Sequence, residues 1–581
     1  MSQVPVSVNI GLVVDYNSPF SFCVYIHGIY SSCETTHVSK EDDIDVLHNT
    51  IVSYLKTYQD DNFAKIIMAS VVNCEEVGRL HELCILLWKD LDIVATISCV
   101  PGVSLEEQAS AASGVASSLF FSQVVIGPDR EVKVDSKFVI ANLKDYSDRI
   151  LKETWTKIIE TSQKIKEAGK RIIFINTTAQ GGGVSIIRHS TMRLYKLLGV
   201  DAHWFCMRPD LKVFEITKTK FHNVLQGVSN DVLTEEDKVL WKTWSKSNFD
   251  SFFKDMKADL FVIDDPQPSG MIPFIRKSNP NAKIAYRSHI ELRTDLIRNK
   301  DTQQSRLWDF LYENISLCDI FVSHPVDYFI PDNVKESSSI KVVEMPAVTD
   351  PIDGLDKELD TFSLVYYQSL FNRIALDRTG KMVSFDRPYF IQVSRFDRSK
   401  GIPDLIEAYT LFRKKEGLDV IPQLIVTGHG SIDDTEGKLI YDQITDLVDL
   451  LPDDIAADIH VVVLEPSDQI LNAMLTSALC AFQLSLREGF EIKVTEALLK
   501  GVPVIAYKSG GIPLQITNEE DGFLVSVGNK SRVSDLMQLL TTDKTRLKLL
   551  QKNAKDKPRE WLLTPMSILR WNNIILDDQK N

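Results

Sequence analysis

The sequence predicts an α/β protein built on doubly wound parallel sheets, with a smaller α/β or α+β module ahead of them. Three observations predict it. Short runs such as Arg171-Ile-Ile-Phe-Ile-Asn176 are apolar on both faces, as strands covered by helices on both sides must be. Such runs alternate with helical stretches over most of the chain. An acidic interval over about 349–385 breaks the rhythm, and a second strand–helix series begins after it. At about 150 residues per domain, 581 residues make roughly three or four domains.

Residues 1–150 carry apolar strands over 6–14, 21–26, 65–72 and 93–98, with helical stretches over 46–56 and 77–87. No chemical motif falls among them. The module reads as a structural or dimer-forming extension, the second case making the protein a homodimer. A long amphipathic helix over roughly 145–168 then leads into the strand 171–176. A glycine-rich turn follows, then a helix over 185–198 closed by Gly199. Further strands are expected over 202–206, 260–264, 283–288, 320–323 and 340–345. They complete a first domain, 151–385, whose connection holds two helical pieces. The second domain, 386–555, has strands over 389–393, 423–427, 459–464, 480–483, 503–506 and 522–525. The tail, 556–581, has an amphipathic helical stretch over 567–576 that is expected to pack back on a neighbouring domain.

A net charge of −15 gives a nucleic-acid partner no electrostatic support, so an anionic ligand needs a local positive pocket. No apolar run reaches the length of about 18 residues that a membrane span needs. The N-terminus lacks a basic region followed by an apolar core, so no signal peptide is expected. The eight cysteines form no C-x-x-C pair and most lie in apolar runs. They read as buried thiols of a reducing, cytoplasmic compartment, not as disulfides or a metal site. No motif calls for a cofactor.

Five segments carry chemistry. The turn Thr177-Thr-Ala-Gln-Gly-Gly-Gly-Val184 joins a strand to a helix; Gly181, Gly182 and Gly183 admit a ligand to the backbone and leave amides free. It does not fit G-x-G-x-x-G, which disfavours a dinucleotide. In Ile391-Gln-Val-Ser-Arg-Phe-Asp-Arg-Ser-Lys-Gly401, Arg395 and Lys400 can converge on one phosphate, a planar fork beside a point charge. In Gly428-His-Gly-Ser-Ile-Asp-Asp-Thr-Glu-Gly437, His429 is either a site residue or a turn residue. Asp264-Asp-Pro-Gln-Pro-Ser-Gly270 and Tyr286-Arg-Ser-His-Ile-Glu291 end two strands of the first series, with Asp265, Gln267, Arg287 and His289 toward the ligand side. His289 is a candidate partner for a sugar hydroxyl. The fifth segment, Ser485-Leu-Arg-Glu-Gly-Phe-Glu-Ile-Lys-Val-Thr-Glu496, places Glu488 at the cleft and opens a helix whose amides near Gly489, Phe490, Glu491 and Ile492 can accept a phosphate. Glu488 and Glu496 also fit a hydrolase acid/base pair, a mechanism that does not need the cations and the anion-binding helix.

These segments together resemble the retaining glycosyltransferases of family 4, which have two facing Rossmann-like domains, the GT-B fold. The E-x7-E stretch with its Gly501-Val-Pro-Val-Ile505 continuation carries the resemblance, with Gly510-Gly-Ile-Pro513 and Asp521-Gly-Phe-Leu-Val525 extending it. It covers about residues 151–581. Within that class the chain resembles trehalose phosphorylase/synthase, on Thr219-Lys-Phe-His-Asn-Val-Leu-Gln-Gly227, Asp265-Pro-Gln-Pro268, Arg287-Ser-His-Ile290 and Arg487-Glu-Gly-Phe490. The wider class usually has Gly after E-G-F; Glu491 here resembles the fungal, clock-controlled type. The resemblance implies retaining transfer of a glucosyl unit, with trehalose and phosphate interconverting with glucose and glucose 1-phosphate. It implies that Arg395 and Lys400 clamp the phosphate, that Glu488 and His289 contact the donor sugar, and that the 181–183 turn lines the acceptor side. Glu496, a nucleotide-ribose contact in this class, is left without a clear role if the donor lacks a nucleotide. Two alternatives remain: a synthase using UDP- or ADP-glucose, and a non-catalytic sugar-binding regulatory protein.

Overall fold

The computed structural model describes residues 5–17, 20–27, 32–38, 43–72, 77–119, 122–430 and 436–577. The first large sheet has six parallel strands in the order Lys341–Glu344, Ile320–Ser323, Lys283–Arg287, Leu260–Asp264, Ile172–Asn176 and Ala202–Cys206. Its central strands are buried on both faces: Ile173 and Ile175 pack into one apolar cluster, Ile172 and Phe174 into another, while the edge strand Lys341–Glu344 is partly exposed. The second sheet repeats the design, in the order Ile459–Leu464, Gln423–His429, Tyr389–Val393, Cys480–Gln483, Val504–Tyr507 and Gly522–Val525. Phe390 there faces one cluster, and Tyr389, Ile391 and Val393 the other.

In each sheet the chain starts near the middle and winds outward in both directions. Neighbouring loops at the point of reversal part to opposite faces and leave a crevice. In the first sheet that point lies between Ile172–Asn176 and Leu260–Asp264, so the glycine turn and Asp265 share a crevice. In the second it lies between Tyr389–Val393 and Cys480–Gln483, which brings the Arg395–Lys400 loop beside the Glu488–Glu491 loop.

The N-terminal module is a five-stranded mixed sheet in which Val6–Asp15 pairs parallel with Ala64–Val72 and antiparallel with Ser21–His27. Two of its elements were not expected from the sequence. Ser32–His37 is a largely exposed edge strand with no apolar pattern. The helix Leu105–Ser118, opened by a capping box at Ser104 and Glu107, lies against Gly11, where an added Cβ would stand 1.8 Å from Ala109 O.

Other expectations are corrected. The helix expected over 145–168 is two, Leu143–Ser147 and Lys152–Glu167. The first is fixed by the Asn142–Asp145 capping box and by buried Tyr146, whose hydroxyl donates to Asp350 Oδ2 (2.9 Å). The connection holds one helix in place of two pieces: Thr361–Thr379, capped by Asp360 and ended by Gly380 at φ +70. Ahead of it, Arg193 pins Asp350 (2.8 Å) and Asp353 (3.5 Å). Cys33 and Cys99 are exposed, Cys33 because it lies on the polar edge strand; Cys23, Cys84, Cys206, Cys318 and Cys480 are buried free thiols, and Cys74 lies outside the described residues. Among the described residues no helix is long and apolar enough to cross a membrane.

The tail returns to the first sheet. The helix Thr564–Leu576 packs on Lys152–Glu167 and Gly183–Leu198. Asn572 Nδ2 donates to Ser162 Oγ (2.9 Å), and Trp571 meets Phe174 edge-on. The chain thus crosses between the two sheets twice. The crossings are paired: Thr349 N donates to Leu562 O (2.9 Å), and Thr564 N donates to Thr349 O (3.1 Å). Arg559 holds the returning segment to the second domain through Asp521 (2.7 Å).

Candidate active site

The two crevices face each other across a cavity of about 240 Å³. Arg395, Lys400, Glu488, His289, Gly181, Gly182, Gly183, Asp265, Gln267, His429, Gly489, Phe490, Glu491 and Ile492 line it together. The other residues of the 428–437 loop that fall in 431–435 lie outside the described residues. Two candidates are not at the cavity. Arg287 is buried behind it, with Nη2 3.3 Å from His324 Nδ1. Glu496 is wholly buried one turn into its helix, and Lys493 Nζ holds it at 2.6 Å.

On the first-domain side, Asp264 ends its strand inside the protein and takes a two-pronged ion pair from Arg188 (2.6 and 2.8 Å). Burial alone would raise its pKa; Arg188 and the His289 hydrogen bond bring it down to about 2. The charged carboxylate accepts from His289 Nε2 (2.9 Å) and so fixes the imidazole with its proton on Nε2 and a lone pair on Nδ1. Burial and Arg287 lower the His289 pKa to about 4, so the ring is neutral at pH 7. Asp265 adopts φ +67, rare for a residue with a β-carbon, and Oδ1 accepts the His289 backbone N–H at 2.8 Å. The glycine turn stands opposite: a Cβ on Gly183 would lie 3.9 Å from Ile492 Cδ1 across the cleft.

On the second-domain side, Asp397 turns the chain by accepting from Ser399 N and Oγ, both at 2.8 Å. This turn sends Lys400 inward, with Nζ between Glu488 Oε2 and Glu491 Oε2 (2.6 Å to the latter). Burial opposes the lysine charge, but the two carboxylates outweigh it and raise its pKa. Burial and the Glu491 charge push Glu488 up to about 7 against the pull of Lys400. Glu491 goes the other way: burial works against its charge, and Lys400 holds its carboxyl below the ordinary value. Glu491 is also the N-cap of the helix Ile492–Leu499, at φ +66. A left-handed backbone at a residue with a side chain costs about 1–2 kcal/mol, so the Lys400 pair has strain to offset. His429 also lines this side; burial and Lys493 lower its pKa.

Several residues that the sequence did not single out tie the halves together. Lys218, on a π-helical turn (Thr217–His222), forms a buried ion pair with Asp397. Asn223 Nδ2 donates to Glu436 Oε2 (2.8 Å). Glu291 Oε2 accepts the Glu488 backbone N–H (3.1 Å). His324 stacks on Phe490 at 5.2 Å and, through Nε2, donates to His289 O (3.2 Å). Gly489 is required by the closest approach: a Cβ there would stand 2.1 Å from His289 O. Paired over 166 to 213 residues of separation, these contacts leave no trace in local pattern.

Neutral His289, the glycine turn and the Asp264 and Asp265 carboxylates thus form one wall, and cations, carboxylates and a helix N-terminus the other. That arrangement suits a sugar bound against an anionic group.

Comparison with known proteins agrees. Residues 174–330 match a family model described as "Trehalose synthase, N-terminal domain", residues 381–557 "Glycosyl transferases group 1", and residues 21–113 "Trehalose phosphorylase-like, N-terminal domain". The chain is 32% identical to a trehalose synthase of Pyrococcus horikoshii, over 74% of this chain and 95% of that protein. It belongs to the trehalose phosphorylase/synthase family of group 1 glycosyltransferases. It is also 39% identical to a trehalose phosphorylase of Grifola frondosa, over 72% of this chain, an alignment that spans only 59% of that relative's length. Solved structures share the fold. A UDP-forming α,α-trehalose-phosphate synthase of Burkholderia xenovorans superposes with TM-score 0.53 at 11% identity, covering 70% of this chain and 99% of its own. Trehalose-6-phosphate synthase OtsA gives 0.54 at 13% identity, covering 70% of this chain and 98% of its own. The two facing Rossmann-like sheets of this chain thus form a GT-B fold, with the mixed-sheet module added ahead of it.

Proposed function

We propose that this glycosyltransferase is a retaining trehalose phosphorylase, which reversibly converts trehalose and phosphate into glucose and α-glucose 1-phosphate. The observation that carries the reading is the convergence of Arg395, Lys400 and the N-terminus of Ile492–Leu499 on one wall of the cleft, with neutral His289 on the other. Arg395 and Lys400 clamp the phosphate, and the helix amides add donors. These fixed positive groups meet negative charge as it develops on the departing oxygen. Glu488 and His289 hold hydroxyls of the transferred glucosyl unit, and the 181–183 turn lines the acceptor side. Among the described residues no side chain stands out as a nucleophile for the anomeric carbon, which favours transfer on one face of the sugar. In the phosphorolytic direction the phosphate passes its proton to the departing glucose oxygen while its own oxygen bonds to the anomeric carbon.

Two further points favour phosphate over a nucleotide donor. Residues 21–113 match the phosphorylase-like N-terminal model. Glu496, the carboxylate that the class uses on a ribose, is wholly buried beneath Lys493. The test is product analysis from trehalose with inorganic phosphate and no nucleotide. Release of glucose 1-phosphate is the expected result; turnover that strictly requires UDP- or ADP-glucose overturns the reading.

A further inference from the structure

Glu491 occupies the groups that a phosphate needs. Its carboxylate is 8% exposed; Oε2 lies 2.6 Å from Lys400 Nζ, and Oε1 faces the Lys493 amide of its own helix at 3.4 Å. The surrounding charges are Lys400 and Arg395 from one loop, Glu488 from its own loop, and Lys493, which is bound to Glu496. The residue also keeps a strained left-handed backbone, φ +66, to hold this position. A bare carboxylate against a phosphate repels it unless a proton lies between them.

The chemistry of the anion decides which ligands supply that proton. Orthophosphate carries a P–OH throughout the neutral range, and a sugar monophosphate, whose second ionisation lies near about pH 6, takes one up readily close to neutrality. Sulfate carries no proton at neutral pH, and neither do the internal phosphoryl groups of a nucleoside diphosphate sugar. We propose that Glu491 selects protonated phosphoryl groups: its carboxylate accepts a hydrogen bond from P–OH of orthophosphate or a sugar 1-phosphate, while Lys400 and Arg395 hold the unprotonated oxygens. The specificity rests on the phosphate site argued above and narrows it to one ionic form. Orthophosphate then enters as its monoanion. One of its two protons leaves with glucose, and the other stays on the sugar phosphate facing Glu491, so the proton count balances.

The experiment compares potassium phosphate with potassium sulfate by calorimetric titration of the full chain, for wild type, Glu491→Gln and Glu491→Asp. Wild type is expected to bind phosphate at least tenfold more tightly than sulfate. Glu491→Gln keeps the size and offers an N–H donor, so it should bind the two anions within about threefold of each other. Glu491→Asp restores a carboxylate and should recover part of the preference. A wild type without preference, or a Gln variant that keeps it, overturns the proposal. Trehalose phosphorolysis by wild type is measured alongside. Phosphorolysis without anion preference removes this inference and leaves the function; preference without phosphorolysis does the reverse.

Discussion

Replacing Lys400 with alanine isolates the electrostatic core of the site. Its ammonium is 10% exposed and lies between two carboxylates that are 14% and 8% exposed. Stripping the counter-ion from a buried pair costs up to about 3–5 kcal/mol, less what the protein recovers when Glu488 and Glu491 take up a proton. The loss to catalysis has a separate origin. A unit charge about 4 Å from a phosphoryl oxygen gains about 4 kcal/mol at an effective dielectric of about 20. Removing one such group from a closed site lowers turnover by about 10²–10³-fold. The assay is the initial rate of phosphorolysis at varied phosphate, with circular dichroism to verify the fold. Lys400→Ala should lose about 10²–10³-fold in kcat/KM for phosphate, together with a lower Tm. A kcat/KM within about threefold of wild type, with the fold intact, would refute the clamp.

Lys218→Ala removes the partner that Asp397 finds in the other half and leaves the buried carboxylate to Arg395 of its own loop (3.9 Å), so small-angle scattering should show a more open particle, and activity should fall by about tenfold or more. Gly489→Ala drives a Cβ into His289 O and should prevent closure; turnover should fall about 10²-fold while the far-ultraviolet spectrum stays unchanged. Burial raises Glu488 to about 7, Asp468 to about 7 and Asp356 to about 8, so the folded chain keeps protons that the unfolded chain, with carboxyls near about 4, releases. Their stabilising contribution is complete below about pH 4 and is lost as pH rises through about 7–8. Buried His289, lowered to about 4, opposes this only below about pH 6.5. Tm should therefore fall between about pH 6.5 and 8, and Asp356→Asn should flatten that slope; a Tm that rises across this window would contradict the assignment.

The two large sheets were legible because their strands are apolar on both faces, a pattern that survives without knowledge of any contact. The edge strand Ser32–His37 was not, since an exposed polar strand has no burial to write into its sequence. The break between Leu143–Ser147 and Lys152–Glu167 was hidden because amphipathic spacing continues through it, while the cap and the Tyr146 anchor depend on distant Asp350. The loops that converge on the cleft were legible because each follows a strand at its carboxyl end. What each side chain does there was less so. Arg287 and Glu496 sit in the right segments and turn inward, Arg287 toward His324 and Glu496 toward Lys493. Lys218, Glu291 and His324 meet their partners only after both halves have folded. The left-handed backbone of Glu491 runs against propensity, and only the surrounding cations explain it.

The twofold crossing between the halves has a mechanical consequence. A single connecting segment would let one half bend, twist and slide against the other. Two segments stitched side by side at Thr349 form a strap, and a strap folds about one line while resisting torsion. If the halves part and close again, such a strap would return Gly489 to His289 and Lys218 to Asp397 in one alignment. The register of the two cleft walls would then be set at the strap, and loosening the tail that forms one ply would blur the alignment of groups it never touches.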